Sequence, residues 1–105
     1  TKYAKLVDAS DNIVTVLADV NSNDEISVVF QGQQNNYVSN SEIPFGHKLA
    51  IKDIKKGEEV VKYGFKIGTA SMNIVKGDWV HTHNVKDDYK CLDKDGQPLP
   101  GQGDN

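Results

Sequence analysis

A pattern that occurs twice at an offset of twenty residues constrains the fold of this sequence more than any other feature. The matched positions are Ala50, Asp53, Ile54, Lys56, Gly57, Glu58 and Val60 in the first copy and Ala70, Asn73, Ile74, Lys76, Gly77, Asp78 and Val80 in the second. Repetition at a fixed offset indicates one structural unit used twice, with the copies packed on each other. The sequence therefore predicts a small core with an approximate internal two-fold.

Each copy has the composition of a single helical turn, a tight turn and a strand. Ala50 and Ile54 are four residues apart, as are Ala70 and Ile74, and this spacing places both side chains on one face of a helical turn. The Lys-Gly pair that follows is typical of a chain reversal, because glycine adopts positive φ without steric cost. The predicted elements are helical turns at residues 50–54 and 70–74 and strands at residues 59–63 and 79–83.

Short apolar runs predict further strands outside the repeat. They lie at residues 3–7, 12–18, 26–30, 38–43 and 47–50. The polar segment 8–11 between the first two predicts a hairpin, and the nearly continuous apolar character of the second predicts a strand covered on both faces. The amide-rich segment 31–36 and the Pro-Phe-Gly segment 44–46 are predicted turns. Short strands joined by turns predict a compact, mostly β fold.

The sequence divides into a predicted domain, residues 1–85, and a predicted linker or flexible C-terminal tail, residues 86–105. The tail has few apolar residues and contains Pro98, Pro100 and three glycines. A chain of 105 residues can bury roughly 60 to 65% of its unfolded surface, yet it is small for an enzyme with its own deep cleft. We therefore expect it to work with a larger partner.

Charge and composition exclude several functional classes. The net charge is -3 and the lysines are spread among acidic residues, so nucleic acid is not an expected partner. No apolar run is long enough to span a membrane. No hydrophobic secretory segment precedes the strand-like run at Tyr3, so a cytoplasmic protein is expected. The single cysteine, Cys91, can form neither an intramolecular disulfide nor a cysteine-based zinc site.

His81 and His83 are the most pointed functional candidates. Residues i and i+2 of a strand project to the same side, so a strand over residues 79–83 would bring the two imidazoles together. Paired imidazoles can bind a divalent metal or contact a substrate. A third ligand is not evident, since Asp78, Asp87 and Asp88 would reach the pair only through cooperating loops. An exposed strand end without a function is the alternative.

Four further residues are candidates for substrate binding. His47 and Lys48 follow a turn glycine, and an imidazole and an ammonium beside one backbone corner can receive a carboxylate. Tyr63 ends the first strand of the repeat, and the matching residue of the second copy is His83, which Asn84 follows. The hydroxyl of Tyr63 can bond a substrate. Packing of the Tyr63 ring in the core, and a solvated turn at Lys48, are the alternatives.

The motifs of the repeat region resemble a known family. They read Gly46-His47-Lys48-Leu49-Ala50-x-x-Asp53-Ile54, then Lys62-Tyr63-Gly64-x-x-Ile67-Gly68-x-Ala70, then Gly77-x-x-Val80-His81-x-His83-Asn84. This segment, residues 43–84, resembles the SAF (β-clip) domain at the N-terminus of altronate dehydratases, in the altronate/galactarate dehydratase family. It also resembles the small subunit of sulfolactate sulfo-lyase. The resemblance implies a β-clip fold of short strands and single helical turns with an internal pseudo-two-fold.

The resemblance implies part of a hydro-lyase that dehydrates a sugar acid, converting altronate to 2-keto-3-deoxygluconate. His81 and His83 are then the expected catalytic or metal-binding residues, and His47, Lys48, Tyr63 and Asn84 the expected substrate contacts. The implied cofactor is a divalent metal, Fe²⁺ or Mn²⁺, in the complete enzyme. The larger catalytic region of such enzymes is not in this sequence, so the chain alone is expected to be inactive. A homo-oligomer is compatible with these expectations.

Two alternatives stay open at this point. The chain resembles a stand-alone small subunit of a sulfolactate sulfo-lyase as well as an excised dehydratase domain. The β-clip fold also occurs in modules that bind carbohydrate or protein partners without catalysis, and fold alone does not decide function.

Overall fold

All regular secondary structure in the computed structural model, which describes residues 1–86, is β. The strands are β1 (Lys2–Lys5), β2 (Ile13–Val16), β3 (Glu25–Phe30), β4 (Gln33–Val38), β5 (Lys48–Ala50), β6 (Glu59–Lys62), β7 (Phe65–Ala70), β8 (Trp79–Val80) and β9 (Val85–Lys86). The mostly β fold predicted from the sequence is confirmed. Within residues 1–86 no helix has the length and hydrophobicity needed to cross a membrane.

The predicted helical turns at residues 50–54 and 70–74 are wrong. Each segment is a bend that leads to one bridging residue, Ile54 or Ile74. These two residues pair antiparallel with each other, and each N–H donates to the other's carbonyl at 2.7 Å. The bridge satisfies the backbone groups that a helical turn would otherwise have paired locally. At this bridge the two copies are related by a local two-fold.

The strands form two sheets. The larger has six strands in the order β4-β3-β1-β2-β5-β8, and the smaller has three in the order β6-β7-β9. The predicted hairpin of β1 and β2 is confirmed, and β1 also pairs in parallel with β3. The predicted turn at residues 31–36 is confined to Gln31 and Gly32, which both have positive φ. The amides that follow form edge strand β4 on β3, because the tight turn lets them pair immediately.

Two apolar clusters lie on opposite faces of the larger sheet. One includes Val14 and Val16 of β2, and the other includes Ile13 of the same strand together with Val60 and Ala70 of the smaller sheet. The second cluster therefore fills the space between the two sheets. The prediction that β2 is covered on both faces is confirmed, and its run of apolar residues follows from that position.

The repeating unit occurs four times in residues 1–86, not twice. Each copy consists of a bend, a bridging residue, a tight turn and the start of a strand. The bridging residues are Val20, Ile43, Ile54 and Ile74, and they pair as Val20 with Ile43 and Ile54 with Ile74. The third residue after each has positive φ, and these residues are Asn23, Gly46, Gly57 and Gly77. The copies around Val20 and Ile43 are too different in sequence from the other two to be detected as repeats from the sequence.

A carboxylate closes the turn in three of the four copies. Asp24, Glu58 and Asp78 each follow their bridging residue by four positions and accept a backbone N–H from the residue three positions before them. The distances are 2.7, 2.7 and 3.0 Å respectively. The turn itself therefore explains the acidic residues at this position, as a side-chain cap on an otherwise unpaired N–H.

The described residues end within the predicted tail. Lys86 still belongs to β9. Residues 87–105, which include Cys91, Asp87 and Asp88, lie outside the described residues. The predicted boundary at residue 85 stays a prediction.

Replacing two equivalent turn glycines separates backbone strain from steric conflict. Gly57→Ala and Gly77→Ala both place a Cβ at positive φ, at 92° and 100°, which costs about 1–2 kcal/mol in each. A Cβ at Gly57 meets nothing within 4 Å, whereas one at Gly77 would lie 2.4 Å from the carbonyl oxygen of Val38. Gly77→Ala should therefore lower the free energy of unfolding by about 1–3 kcal/mol more than Gly57→Ala. Urea denaturation measures both, and equal losses would contradict this packing.

Candidate functional site

Four aromatic rings meet where β5 pairs with β8. The pairing sets Lys48 opposite Val80 and Leu49 opposite Trp79. His47 precedes β5, and its ring centroid lies 4.8 Å from that of His81 and 5.9 Å from that of Trp79. The ring of His81 stacks on Trp79 at 5.4 Å and 8°, and the ring of His83 lies 5.1 Å from Trp79. We call these four residues, His47, Trp79, His81 and His83, the histidine–tryptophan cluster.

The two histidines of the His-x-His motif do not project side by side from a strand. β8 ends at Val80, and residues 81–84 form a turn. The carbonyl of His81 accepts the N–H groups of Asn84 and Val85, at 3.2 and 3.1 Å. The turn replaces the predicted strand because these bonds close the chain on itself. Both imidazoles are exposed, and they are brought together through contact with Trp79.

Asn84 holds this turn. Its side-chain oxygen accepts the backbone N–H of His81 at 3.0 Å, and its side-chain nitrogen donates to the carbonyl of Trp79 at 2.9 Å. The residue is 4% exposed. Asn84 therefore holds the turn of residues 81–84, because its amide is buried and bonded to the backbone on both sides. Its predicted contact with substrate stays a prediction.

His47 does not cap its turn, unlike the residues at the equivalent position in the other copies of the repeat. It is equivalent to Asp24, Glu58 and Asp78, whose carboxylates accept a backbone N–H. In the copy that contains His47, the donor position is Pro44, which has no N–H. The turn therefore needs no acceptor side chain at His47, and its imidazole instead accepts the indole N–H of Trp79 at Nδ1, at 3.3 Å.

Lys48 lies in a pocket between the two sheets. This pocket, which we call the Lys48 pocket, has a volume of about 290 Å³ and is lined by Lys48, Ile67, Val80, His81, Thr82 and Val85. Burial lowers the pKa of Lys48, and the nearby Lys62 ammonium lowers it further while Tyr63 opposes the effect. No carboxylate within residues 1–86 pairs with Lys48. An unpaired, partly desolvated ammonium in a pocket is suited to receive an anion.

A second pocket, of about 320 Å³, borders the other part of the cluster at Trp79 and His83. Several of its polar side chains already bond to the protein. Asp78 accepts the N–H of Val75 and the amide of Asn40, and Asn73 accepts the N–H of Lys56. Because these groups maintain the fold, the Lys48 pocket is the better candidate for a ligand.

Tyr63 lies at the tip of the hairpin formed by β6 and β7. Its φ is 56° and its side chain is 44% exposed, so the alternative that its ring packs in the core is wrong. The ammonium of Lys62 lies 4.7 Å from the ring centroid, which is a cation–π contact. The tight turn with Gly64 exposes the ring, because both residues have positive φ.

The described residues do not form a metal site by themselves. Among residues 1–86 no group of three or more histidine, cysteine or acidic side chains is arranged to hold an ion. One nitrogen of His47 is also occupied by the Trp79 indole. The donor set present in this part of the chain therefore does not fit a complete divalent metal site.

Comparison with known families identifies the domain. A family model described as the altronate/galactarate dehydratase SAF domain matches residues 2–88. The chain belongs to this family. The match extends over all nine strands of residues 1–86, so the resemblance found in the motifs of residues 43–84 is confirmed and covers the leading strands as well.

Relatives of this SAF domain include two altronate dehydratases. The altronate dehydratase of Escherichia coli is 38% identical over 106 residues, which cover 96% of this chain and 20% of that protein. That of Bacillus subtilis is 34% identical over 76 residues, or 72% of this chain and 14% of that protein. The (2R)-sulfolactate sulfo-lyase subunit alpha of Chromohalobacter salexigens is 52% identical over 44 residues, or 42% of this chain and 47% of that subunit. The chain thus spans about a fifth or less of the altronate dehydratases.

The sequence patterns indicated the three histidines of the SAF domain but did not place Trp79 beside them. Nothing in the spacing of Trp79 shows that it lies opposite Leu49, since that pairing depends on the β5–β8 register. The sequence does indicate that His47 need not cap its turn. Pro44, three positions before it, has no N–H, whereas the equivalent residues of three other copies donate one. That signal becomes readable only once the four copies are aligned by structure.

Removing the Asn84 amide should destabilise the SAF domain. Asn84→Ala leaves the His81 N–H and the Trp79 carbonyl without their partner, and each such group costs about 1–3 kcal/mol when it stays buried. Denaturant unfolding followed by the fluorescence of the sole tryptophan measures the loss. The control Asn35→Ala, on exposed strand β4, should change stability by less than about 0.5 kcal/mol. Equal stability of both variants would contradict the positioning role.

Proposed function

We propose that this SAF domain is part of a hydro-lyase that dehydrates a sugar acid, converting altronate to 2-keto-3-deoxygluconate together with a larger catalytic region. The 38% identity to an altronate dehydratase over 96% of this chain supports the reaction class. The small share of that protein that the chain spans supports a catalytic region elsewhere in the enzyme. The observation that carries the proposal is the histidine–tryptophan cluster, with His81 and His83 exposed, beside the unpaired ammonium of Lys48.

The proposed reaction is a β-elimination. A base removes the proton on the carbon next to the carboxylate, the neighbouring hydroxyl leaves as water after accepting a proton, and the resulting enol becomes the ketone. Negative charge develops on the carboxylate as the first proton leaves, and the ammonium of Lys48 stabilises it. His81 and His83 are exposed imidazoles suited to move a proton to or from the substrate.

The predicted Fe²⁺ or Mn²⁺ remains a proposal for the complete enzyme. Residues 1–86 do not provide the ligands for such an ion by themselves. In the proposed enzyme, ligands from outside these residues complete any metal site. The predicted cytoplasmic location and the predicted homo-oligomer also stay predictions.

A sulfo-lyase subunit is the second candidate. The 52% identity to (2R)-sulfolactate sulfo-lyase subunit alpha is higher than the identity to the altronate dehydratases but extends over only 42% of this chain. In this alternative the group that leaves is sulfite, while the Lys48 pocket still receives a carboxylate. Assaying the complete enzyme with altronate, galactarate and sulfolactate distinguishes the two candidates.

The histidines are tested in the complete enzyme that contains this chain. The double variant His81→Ala, His83→Ala should lower kcat for altronate dehydration by about 100-fold or more, because it removes two candidate proton carriers. The control is Gln33→Ala on β4, at the opposite edge of the larger sheet from β8, and its activity should match the wild type. A folded double variant that keeps wild-type turnover would remove both histidines from the mechanism.

Lys48 is tested by separating binding from stability. Lys48→Met keeps most of the side-chain volume but removes an unpaired, partly buried charge, so the free energy of unfolding should stay equal or rise. The KM for the sugar acid should rise about tenfold or more, as expected for one charge-assisted hydrogen bond. Lys48→Arg is the matched control and should retain more of the affinity. An unchanged KM in Lys48→Met would show that the carboxylate binds elsewhere.

A further inference from the structure

We propose that Trp79 is a positioning residue, which fixes His47 in the tautomer with its proton on Nε2 and holds His81 parallel to the indole. This inference rests on the proposed function for its purpose, the presentation of an imidazole N–H to the substrate. The arrangement itself stands on geometry and can be tested without turnover. Nothing in the sequence or the comparisons assigns Trp79 a role.

The contacts of Trp79 reach all three histidines of the described chain. Its indole N–H donates to Nδ1 of His47 at 3.3 Å, its ring stacks on His81 at an interplanar angle of 8°, and His83 lies 5.1 Å away. No other aromatic residue in residues 1–86 contacts more than one of these imidazoles. Trp79 therefore connects histidines that come from separate parts of the chain.

The repeat does not require an aromatic residue at this position. Trp79 is the first strand residue after the fourth turn, and the equivalent residues of the other three copies are Glu25, Lys48 and Glu59. The unit thus folds with charged side chains there. Trp79 does pack on the first apolar cluster, but that packing alone leaves its hydrogen bond to His47 and its stack on His81 unexplained.

The hydrogen bond determines which imidazole nitrogen can donate. An N–H donor has no acceptor on a protonated nitrogen, so Nδ1 of His47 carries no proton while it receives the indole N–H. The proton of the neutral ring is then on Nε2, which makes Nε2 a donor for a carboxylate or hydroxyl oxygen. The Pro44 turn contributes to this state, because it leaves the imidazole with no backbone N–H to accept.

The arrangement is tested by NMR of the isotope-labelled 105-residue chain. Trp79 is the sole tryptophan, so its indole N–H gives one resonance. At about pH 8, where an unperturbed imidazole is neutral, that N–H should exchange with solvent about tenfold faster in His47→Ala than in the wild type. His47→Asn keeps an acceptor oxygen near the position of Nδ1 and should restore part of the protection. Equal exchange in all three proteins would overturn the proposed hydrogen bond.

The contribution of Trp79 to catalysis is tested in the complete enzyme. Trp79→Phe keeps a ring beside His81 but removes the indole N–H, and kcat should fall about tenfold while KM changes less, the loss expected for one hydrogen bond. Tyr37→Leu is the matched control, because Tyr37 packs on the same apolar cluster but lies on β4, away from β8, and its kcat should match the wild type. A wild-type kcat in Trp79→Phe, or an equal fall of kcat in both variants, would show that Trp79 only packs on the apolar cluster.

The two tests fail separately. If the complete enzyme dehydrates no sugar acid, the proposed function is wrong, whereas the exchange of the indole N–H still decides whether Trp79 positions His47.

Discussion

The reciprocal backbone pairing of bridging residues is the constraint on which the rest of the structure depends. Ile54 and Ile74 exchange N–H and carbonyl bonds at 2.7 Å, and Val20 and Ile43 do the same at 2.8 and 2.9 Å. All four side chains are buried. One residue of each copy thus satisfies its backbone and fills the core at once, so a chain without helices in residues 1–86 still forms a closed core.

The site arises where one copy departs from this repeat. Three copies use a carboxylate to accept the N–H at the start of the turn, so those side chains are held against the backbone. The copy that contains Pro44 has no N–H to satisfy at the start of its turn, and it carries His47 at the acceptor position. The next residue, Lys48, reaches the space between the sheets. The proline thereby releases the His47 side chain from capping the turn, and the fourth copy, which pairs with this one through β5 and β8, contributes Trp79 and leads into His81.

The Lys48 pocket and the histidine–tryptophan cluster also illustrate the opposition between stability and binding. Burial of the Lys48 ammonium without a carboxylate partner disfavours its charged form, which is the direction of its pKa change. A ligand carboxylate would reverse this effect by pairing with the charge. Asn84, by contrast, bonds to the backbone and stabilises the turn of residues 81–84. The candidate ligand-binding side chains and those that stabilise the turn are thus different residues within a short stretch of the chain.

The sequence by itself determined the β class, the first hairpin, the burial of β2, the twenty-residue repeat and the family, because alternating apolar runs, turn residues and local motifs are readable one segment at a time. Only the tertiary structure decided that Ile54 pairs with Ile74 instead of ending a helical turn, that residues 31–36 extend into β4, and that the His81-Thr82-His83 segment is a turn. It also decided that Trp79 joins His47 to His81, across the β5–β8 pair. The reason is physical: these features depend on hydrogen bonds between residues far apart in the chain, and those bonds override local conformational preference.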